Sequence, residues 1–400
     1  MGLYASLDDC GLVALEGARR ADELQKFRLC AILRPSGKRI EKKLTLSHSG
    51  SSDGPRAATG KAAEGAAALI AESRKARADK TWIITDGAAG TEAQGIAVAE
   101  AVGLPYALKR VRSKGAMRLL PAALQILLPP KGLLRAIASS DPLEPPWPRL
   151  VISIGRHAVP TALAIKRLSG AYTLHIQNPK VPARLFDLVA APAHDNFEGP
   201  NVITTFGSVH GVTPERLAEA GKNFAPRIED LPCPRIAVLL GGDSHAFSFA
   251  PDIATGFGAK LASLARQTGG ALLVTPSRRT RKETVEALVK AIADTPHFLW
   301  DGSGDNPYFA FLSLAEAIVV TEDSVNMVTE AAGTGKPVYV QALPGRSKRL
   351  SRFHALMRER GATRPFEGQL DSWSYAPVND TEVVASRIRR ALGLETKAEN

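Results

Sequence analysis

A chain of 400 residues, 44% hydrophobic and 23% charged, is too long for one ordinary core and has the balance of a globular protein with two domains. Its cysteines, Cys10, Cys30 and Cys233, match no zinc or CxxC spacing and point to a reducing compartment, and no stretch reaches the roughly 20 apolar residues of a membrane span. The net charge of +11 favours polyanionic partners, yet aromatics are only 6% of the chain, too few to stack bases between cations, which argues against nucleic acid.

The first 80 residues stand apart. They open on MGLYASLDDC, without the basic-then-apolar order of a signal peptide, and end in a Ser-, Gly-, Ala- and charge-rich run with almost no large apolar side chains. We expect residues 1–80 to be a disordered extension without chemistry.

From Thr81 the pattern changes. TWIIT reads as a strand, DGAAGT as a turn and EAQGIAVAEAVG as a helix. From Ala101 to Ser140 there are seven cations (Lys109, Arg110, Arg112, Lys114, Arg118, Lys131, Arg135) and no carboxylate, interleaved with LLPAALQILLPP. Basic plus aliphatic composition suits either an anionic membrane surface met by residues 109–135 or a helix whose apolar face joins the core. LVISIG, YTLHIQ, LFDLVAAP and NVITTFG then supply further strands of a first α/β domain, residues 81–232.

LPCPR (231–235) is a hinge candidate, after which the alternation restarts. RIAVLLGGDS, ALLVTPSRRT, HFLW, EAIVVTEDS and PVYVQAL are strands of a second domain, 233–378, and DTEVVASRIRRALGL heads a closing helix and tail, 379–400. Strands alternating with amphipathic helices mean βαβ units on parallel sheets. The expected fold is α/β: two doubly wound Rossmann-like domains facing across a cleft.

Chemistry collects where such sheets place ligands, at the carboxyl ends of the strands. In the second half these are Gly241-Gly242-Asp243-Ser244, Ser277-Arg278-Arg279-Thr280, the cap Asn306, and Glu322-Asp323-Ser324. Glycines let backbone N–H groups approach a phosphate, and arginine suits a diphosphate. Any one loop is explained by helix capping. Four in succession favour a nucleotide crevice. In the first half, Asp86, Gly87 and Gly90 form a turn followed by Glu92 and Gln94, and Arg156, Asn178 and the pair His194-Asp195 follow other strands.

The order GGDS, TPSRRT, NPYFAFLSLAEAIVVTEDSVNMVTEAAGTGKPVYV, with WIITDGAAGTEAQGIAVAEAVGLPY before it and FEGQLDSWSYAP after, resembles the mitochondrial-fission "elongated mitochondria" family of plants and proteobacteria from about Thr81 to Leu392. That family is similar in turn to GT-B glycosyltransferases such as the peptidoglycan lipid-linked GlcNAc transferase and lipid-A disaccharide synthase. Their donor signature corresponds to Ser324, Glu330, Ala331, Gly335, Lys336 and Pro337. The resemblance implies that Glu330 accepts hydrogen bonds from a donor ribose, and that the donor is a nucleotide sugar, taken as UDP-linked, with no other cofactor. Where the lipid-linked transferase has a histidine near the acceptor, this chain has Thr91, whose hydroxyl is too weak a base. Glu92, Asp86 or His194 would have to act instead.

The leading expectation is therefore a metal-independent glycosyltransferase or nucleotide-sugar-binding protein acting on an envelope or lipid-linked acceptor. It would be cytoplasmic, with peripheral contact at the inner membrane face. A non-catalytic membrane-surface scaffold for division or envelope partners and a nucleotide-sugar epimerase stand beside it. The sequence leaves the oligomeric state open.

Overall fold

The computed structural model describes residues 4–7, 13–16 and 78–394. The expectation of disorder for residues 1–80 falls almost wholly outside them. Two short strands, β1 (Tyr4–Leu7) and β2 (Val13–Glu16), pair antiparallel.

The first α/β lobe is a seven-stranded sheet of β3 (Ala78–Thr85), β4 (Tyr106–Ser113), β5 (Ile137–Ser139), β6 (Pro148–Ile154), β7 (Tyr172–Ile176), β8 (Leu188–Pro192) and β9 (Val202–Thr205). The strand order is β5-β4-β3-β6-β7-β8-β9, all parallel except the β4–β5 pair. Helices α1 (Ala89–Val102), α2 (Ala122–Gln125), α3 (Pro130–Arg135) and α4 (Val159–Ser169) connect the strands. Strand order reverses between β3 and β6, so the switch point lies at Asp86 and Gly155.

The second lobe holds β10 (Arg235–Leu240), β11 (Ala271–Pro276), β12 (His297–Leu299), β13 (Ala317–Thr321), β14 (Val338–Gln341) and β15 (Thr363–Pro365). They pair in parallel in the order β12-β11-β10-β13-β14-β15. Its helices are α5 (Pro214–Phe224), α6 (Pro251–Thr268), α7 (Lys282–Ala291), α8 (Tyr308–Leu314), α9 (Val325–Ala332) and α10 (Lys348–Glu359), and α11 (Thr381–Leu392) follows. Ile236, Val238 and Leu240 face one core while Ala237 and Leu239 face another, so β10 is buried on both sides. That is why its sequence runs RIAVLL without polar alternation. The switch point falls between β10 and β13.

Packing shifts the expected domain boundary. Phe224 and Ile228 join Phe311, Ile318 and Val320 in one core, so α5 belongs to the second lobe although it precedes residue 232. Conversely, Val384, Ala385 and Ile388 of α11 pack against Val98, Leu150 and Ile152 of the first lobe. The chain thus crosses between lobes twice, each time because an amphipathic helix finds its apolar partner across the divide.

The basic segment 109–135 is not one helix. Lys109, Arg110 and Arg112 lie on β4, and short helical turns follow. Lys109 is buried, donates to the Pro142 carbonyl at 3.0 Å and sits 4.6 Å from the Trp82 ring centroid. Among the described residues no helix is long and apolar enough to cross a membrane.

Candidate functional site

The turn after β10 meets the turn after β13 at the second switch point. Gly241 N–H donates to Thr321 Oγ1 at 2.7 Å, and Gly242 N–H donates to Asp323 Oδ2 at 3.1 Å. Thr321 Oγ1 also donates to Asp323 Oδ1 at 2.7 Å, and Arg279 Nη2 pairs with Asp323 Oδ2 at 2.6 Å. Asp323 is buried while the Arg279 side chain keeps 43% of its surface exposed. Both glycines are required by proximity. A Cβ on Gly241 would lie 2.0 Å from Asp323 Oδ1, and one on Gly242 would lie 2.1 Å from the Arg279 carbonyl oxygen.

The neighbouring loop is locked by short contacts. Ser277 N–H donates both to Leu240 O and to Thr280 Oγ1, the latter at 2.9 Å, and Thr280 Oγ1 in turn donates to the Leu240 and Gly241 carbonyls. Arg278 is exposed. Asp243 accepts from Phe249 N–H at 2.8 Å and pairs with Arg281 at 2.8 Å, while Ser244 accepts from Ala246 and Phe247 N–H. Asn306 Oδ1 accepts from Thr275 Oγ1 at 3.3 Å.

Helix α9 springs from this turn. Ser324 is its N-cap, accepting from Met327 N–H at 3.3 Å. Near its far end, Glu330 Oε2 accepts from the Tyr308 hydroxyl at 2.7 Å. Burial raises the Glu330 carboxyl to about 7; the Tyr308 hydrogen bond and the charge of Arg216 pull it only part of the way back. Burial, together with the facing carboxylate, pushes the Tyr308 phenol well up.

Other residues of the donor signature have different employment. Lys336 Nζ donates to the carbonyls of Leu312, Ser313 and Ala315, closing the C-terminus of α8, and burial lowers its pKa. It does not pair with Glu330. Gly335 takes φ +75°, the left-handed turn that leads into β14. Glu322 turns away to accept from Leu343 N–H, and burial raises its pKa.

In the first lobe, Asp86 Oδ1 accepts from Ala88 N–H at 3.2 Å and from Thr91 Oγ1 at 3.2 Å, and Gly87 N–H donates to Thr85 Oγ1 at 3.2 Å. Glu92 is gripped by Arg110 at 2.6 and 3.0 Å. Gly90 and Gln94 meet the second lobe. Asn326 Nδ2 donates to Gly90 O at 3.1 Å, and Gln94 Nε2 donates to Asn326 Oδ1 at 3.2 Å. His194 is buried against Phe353, its ring nitrogens have no hydrogen-bond partner among the described residues, and burial lowers its pKa to about 4. Asp195 pairs with Arg349 of α10 at 2.6 Å. Of the proposed acid–base residues, Asp86 lines a cavity of about 820 Å³, together with Arg156. Asn178 Oδ1 accepts from the N–H of Lys180, which lines that cavity, at 2.9 Å.

Sequence reasoning missed Tyr308 and Asn326. Tyr308 follows Asn306-Pro307, where capping alone drew attention. Asn326 sits within the signature helix but acts across the lobes, which linear spacing cannot show.

Comparison with known proteins agrees with the fold. A UDP-GlcNAc 2-epimerase from Methanocaldococcus jannaschii superimposes with a TM-score of 0.50 at 14% identity, covering 79% of this chain and all of that one. An uncharacterised Rickettsia prowazekii protein is 26% identical over 355 residues, 78% of this chain and 98% of its own length. A mitochondrial fission protein of Arabidopsis thaliana is 32% identical over 278 residues, which are 62% of this chain and 65% of the plant protein. The match thus spans a little under two thirds of that relative's length. Residues 89–392 match the family model described as Mitochondrial fission ELM1, and the chain belongs to that family.

Proposed function

We propose that the protein binds a nucleotide sugar at the second switch point and transfers the sugar, without a metal ion in the step, to an acceptor held by the first lobe. The observation that carries this is Glu330: a half-buried carboxylate on the helix that begins beside Asp323, held by one oxygen to Tyr308. A carboxylate near a helix C-terminus gains nothing from the macrodipole, and a ribose diol would satisfy its second oxygen. Arg278, exposed, and Arg279, half-exposed, supply charge toward a departing diphosphate, and the N-terminus of α9 adds its dipole. A protein of the same fold is named for a UDP-GlcNAc reaction, which supports UDP as the nucleotide. Asp86 would take the acceptor proton, a role supported by its position in the lining of the first-lobe cavity.

One observation favours a second reading, a nucleotide-binding scaffold without turnover. Asp323 already occupies the Gly242 N–H and Arg279, the groups a diphosphate would use. Titration calorimetry with UDP and UDP-GlcNAc, on wild type, Arg279→Ala and Glu330→Ala, tests the site. Binding unchanged by either substitution sinks it. NMR of a UDP-sugar incubation then separates transfer or hydrolysis, epimerisation, and binding alone.

A further inference from the structure

The 820 Å³ cavity of the first lobe opens at the carboxyl ends of β3, β4, β6 and β7, around the switch point. Arg112, Arg118, Arg156 and Lys180 line it, against the single carboxylate of Asp86. None of these four cations lies within 4.0 Å of a carboxylate among the described residues, so their charge is not neutralised internally. The loop carrying Lys180 is held in a costly conformation: Gln177 has φ +79° and Lys180 φ +58°, although neither is glycine. Non-glycine residues held there mark positions that the surroundings over-determine, often at ligand clamps.

Among the described residues the wall beside the cations is apolar and exposed. Leu119 (87% exposed) and Leu120 line the cavity, and Leu124 and Leu127 (73% exposed) follow on the adjoining turn. Isolated exposed leucines need no explanation, but here they cluster along the short turns that form one wall of a cationic cavity. A purely soluble anion would use the cations and leave the leucines in water. Only an anionic amphiphile satisfies both.

We propose that this cavity takes the phosphate-bearing headgroup of a membrane lipid, with Leu119 and Leu127 entering the acyl boundary while Arg112, Arg118 and Lys180 hold the phosphate. It deepens the transferase reading by naming the acceptor class, and rests on that reading only for the word acceptor.

The test is co-sedimentation of the full chain with vesicles of phosphatidylcholine alone and with phosphatidic acid added. Titration of inorganic pyrophosphate, and of UDP, runs beside it on the same proteins. The expected result is binding to the phosphatidic acid vesicles only, weakened by salt. Arg112→Ala and Arg118→Ala each lower it on the order of fivefold. Leu119→Ser/Leu127→Ser abolishes vesicle binding and leaves any pyrophosphate binding intact, since it removes apolar surface without changing the charge of the cavity. Equal binding to phosphatidylcholine, or vesicle binding indifferent to the arginines, overturns the headgroup site. Pyrophosphate binding without vesicle binding makes the ligand a soluble anion and overturns the lipid. Circular dichroism on each variant separates lost binding from lost fold. Loss of vesicle binding with UDP binding intact defeats only this inference, whereas vesicle binding without UDP binding defeats the donor reading instead.

Discussion

The Tyr308 hydroxyl donates to Glu330 Oε2 at 2.7 Å, joining the first turn of α8 to the last of α9. The pair orients one carboxylate oxygen and leaves the carboxylate costly to ionise, since burial has raised it to about 7.

Stability should therefore fall as pH rises. The folded state holds the Glu330 proton up to about 7, whereas the unfolded chain releases it near 4.5, so ionisation between those values disfavours the fold. Glu330→Gln keeps an acceptor for Tyr308 and removes the charge. We expect it to be about 1–3 kcal/mol more stable than wild type at pH 8 and near parity at pH 4.5, by urea unfolding. Nucleotide binding should move the other way. The charged oxygen is the better ribose acceptor, so Glu330→Gln loses about tenfold in UDP affinity, and wild-type affinity drops as pH falls below 7. A variant that is no more stable at pH 8 removes the buried charge from the account.

The Asp323 cluster predicts unequal costs for its two charged members. Asp323→Ala strands Gly242 N–H and Arg279 together and should cost about 3–5 kcal/mol. Arg279→Ala should cost less, about 1 kcal/mol, because Asp323 keeps its bonds from Gly242 and Thr321 and the arginine is partly solvated. Equal losses in urea unfolding would mean that the backbone donors do not hold the carboxylate.

Lys336 distinguishes capping from ligand contact. Lys336→Met removes a donor shared by the Leu312, Ser313 and Ala315 carbonyls and should cost about 1–3 kcal/mol. With the ammonium facing those carbonyls, the UDP dissociation constant measured well below the melting point should stay within about twofold of wild type. A tenfold loss of UDP affinity would return Lys336 to the donor site.

Gly90 tests the contact between lobes. A Cβ there would lie 2.4 Å from Asn326 Nδ2, and the Asn326 amide is held by Gln94 and Gly90 itself. Gly90→Ala should lower stability by about 1–2 kcal/mol, and Asn326→Ala in the same chain should recover most of that loss. Additive losses in thermal unfolding would show that the two residues do not meet.

Much of the architecture was legible in the sequence, because a strand buried on both faces must be continuously apolar. TWIIT, LVISIG, RIAVLL and AIVVT announce themselves for that reason. The strand Tyr106–Ser113 did not. Lys109, Arg110 and Arg112 interrupt it, and their place in a sheet depends on Trp82, the Pro142 carbonyl and Glu92, all distant in sequence. The boundary near residue 232 was misplaced for a related reason. A proline-rich segment marks a turn, but which lobe claims α5 is decided by Phe224 packing on Phe311.

The same division holds at the site. Residue order alone put Gly241, Arg279 and Asp323 on neighbouring strand ends and Glu330 on the helix that follows the last of them, since parallel connections return every loop to one edge of a sheet. Which partner each side chain takes was settled only in three dimensions. Hydrogen bonds form with whatever group folding brings within about 3 Å. Lys336 found the end of α8, Asp323 found Arg279, and Glu330 found Tyr308, a residue 22 positions away that no spacing rule connects to it.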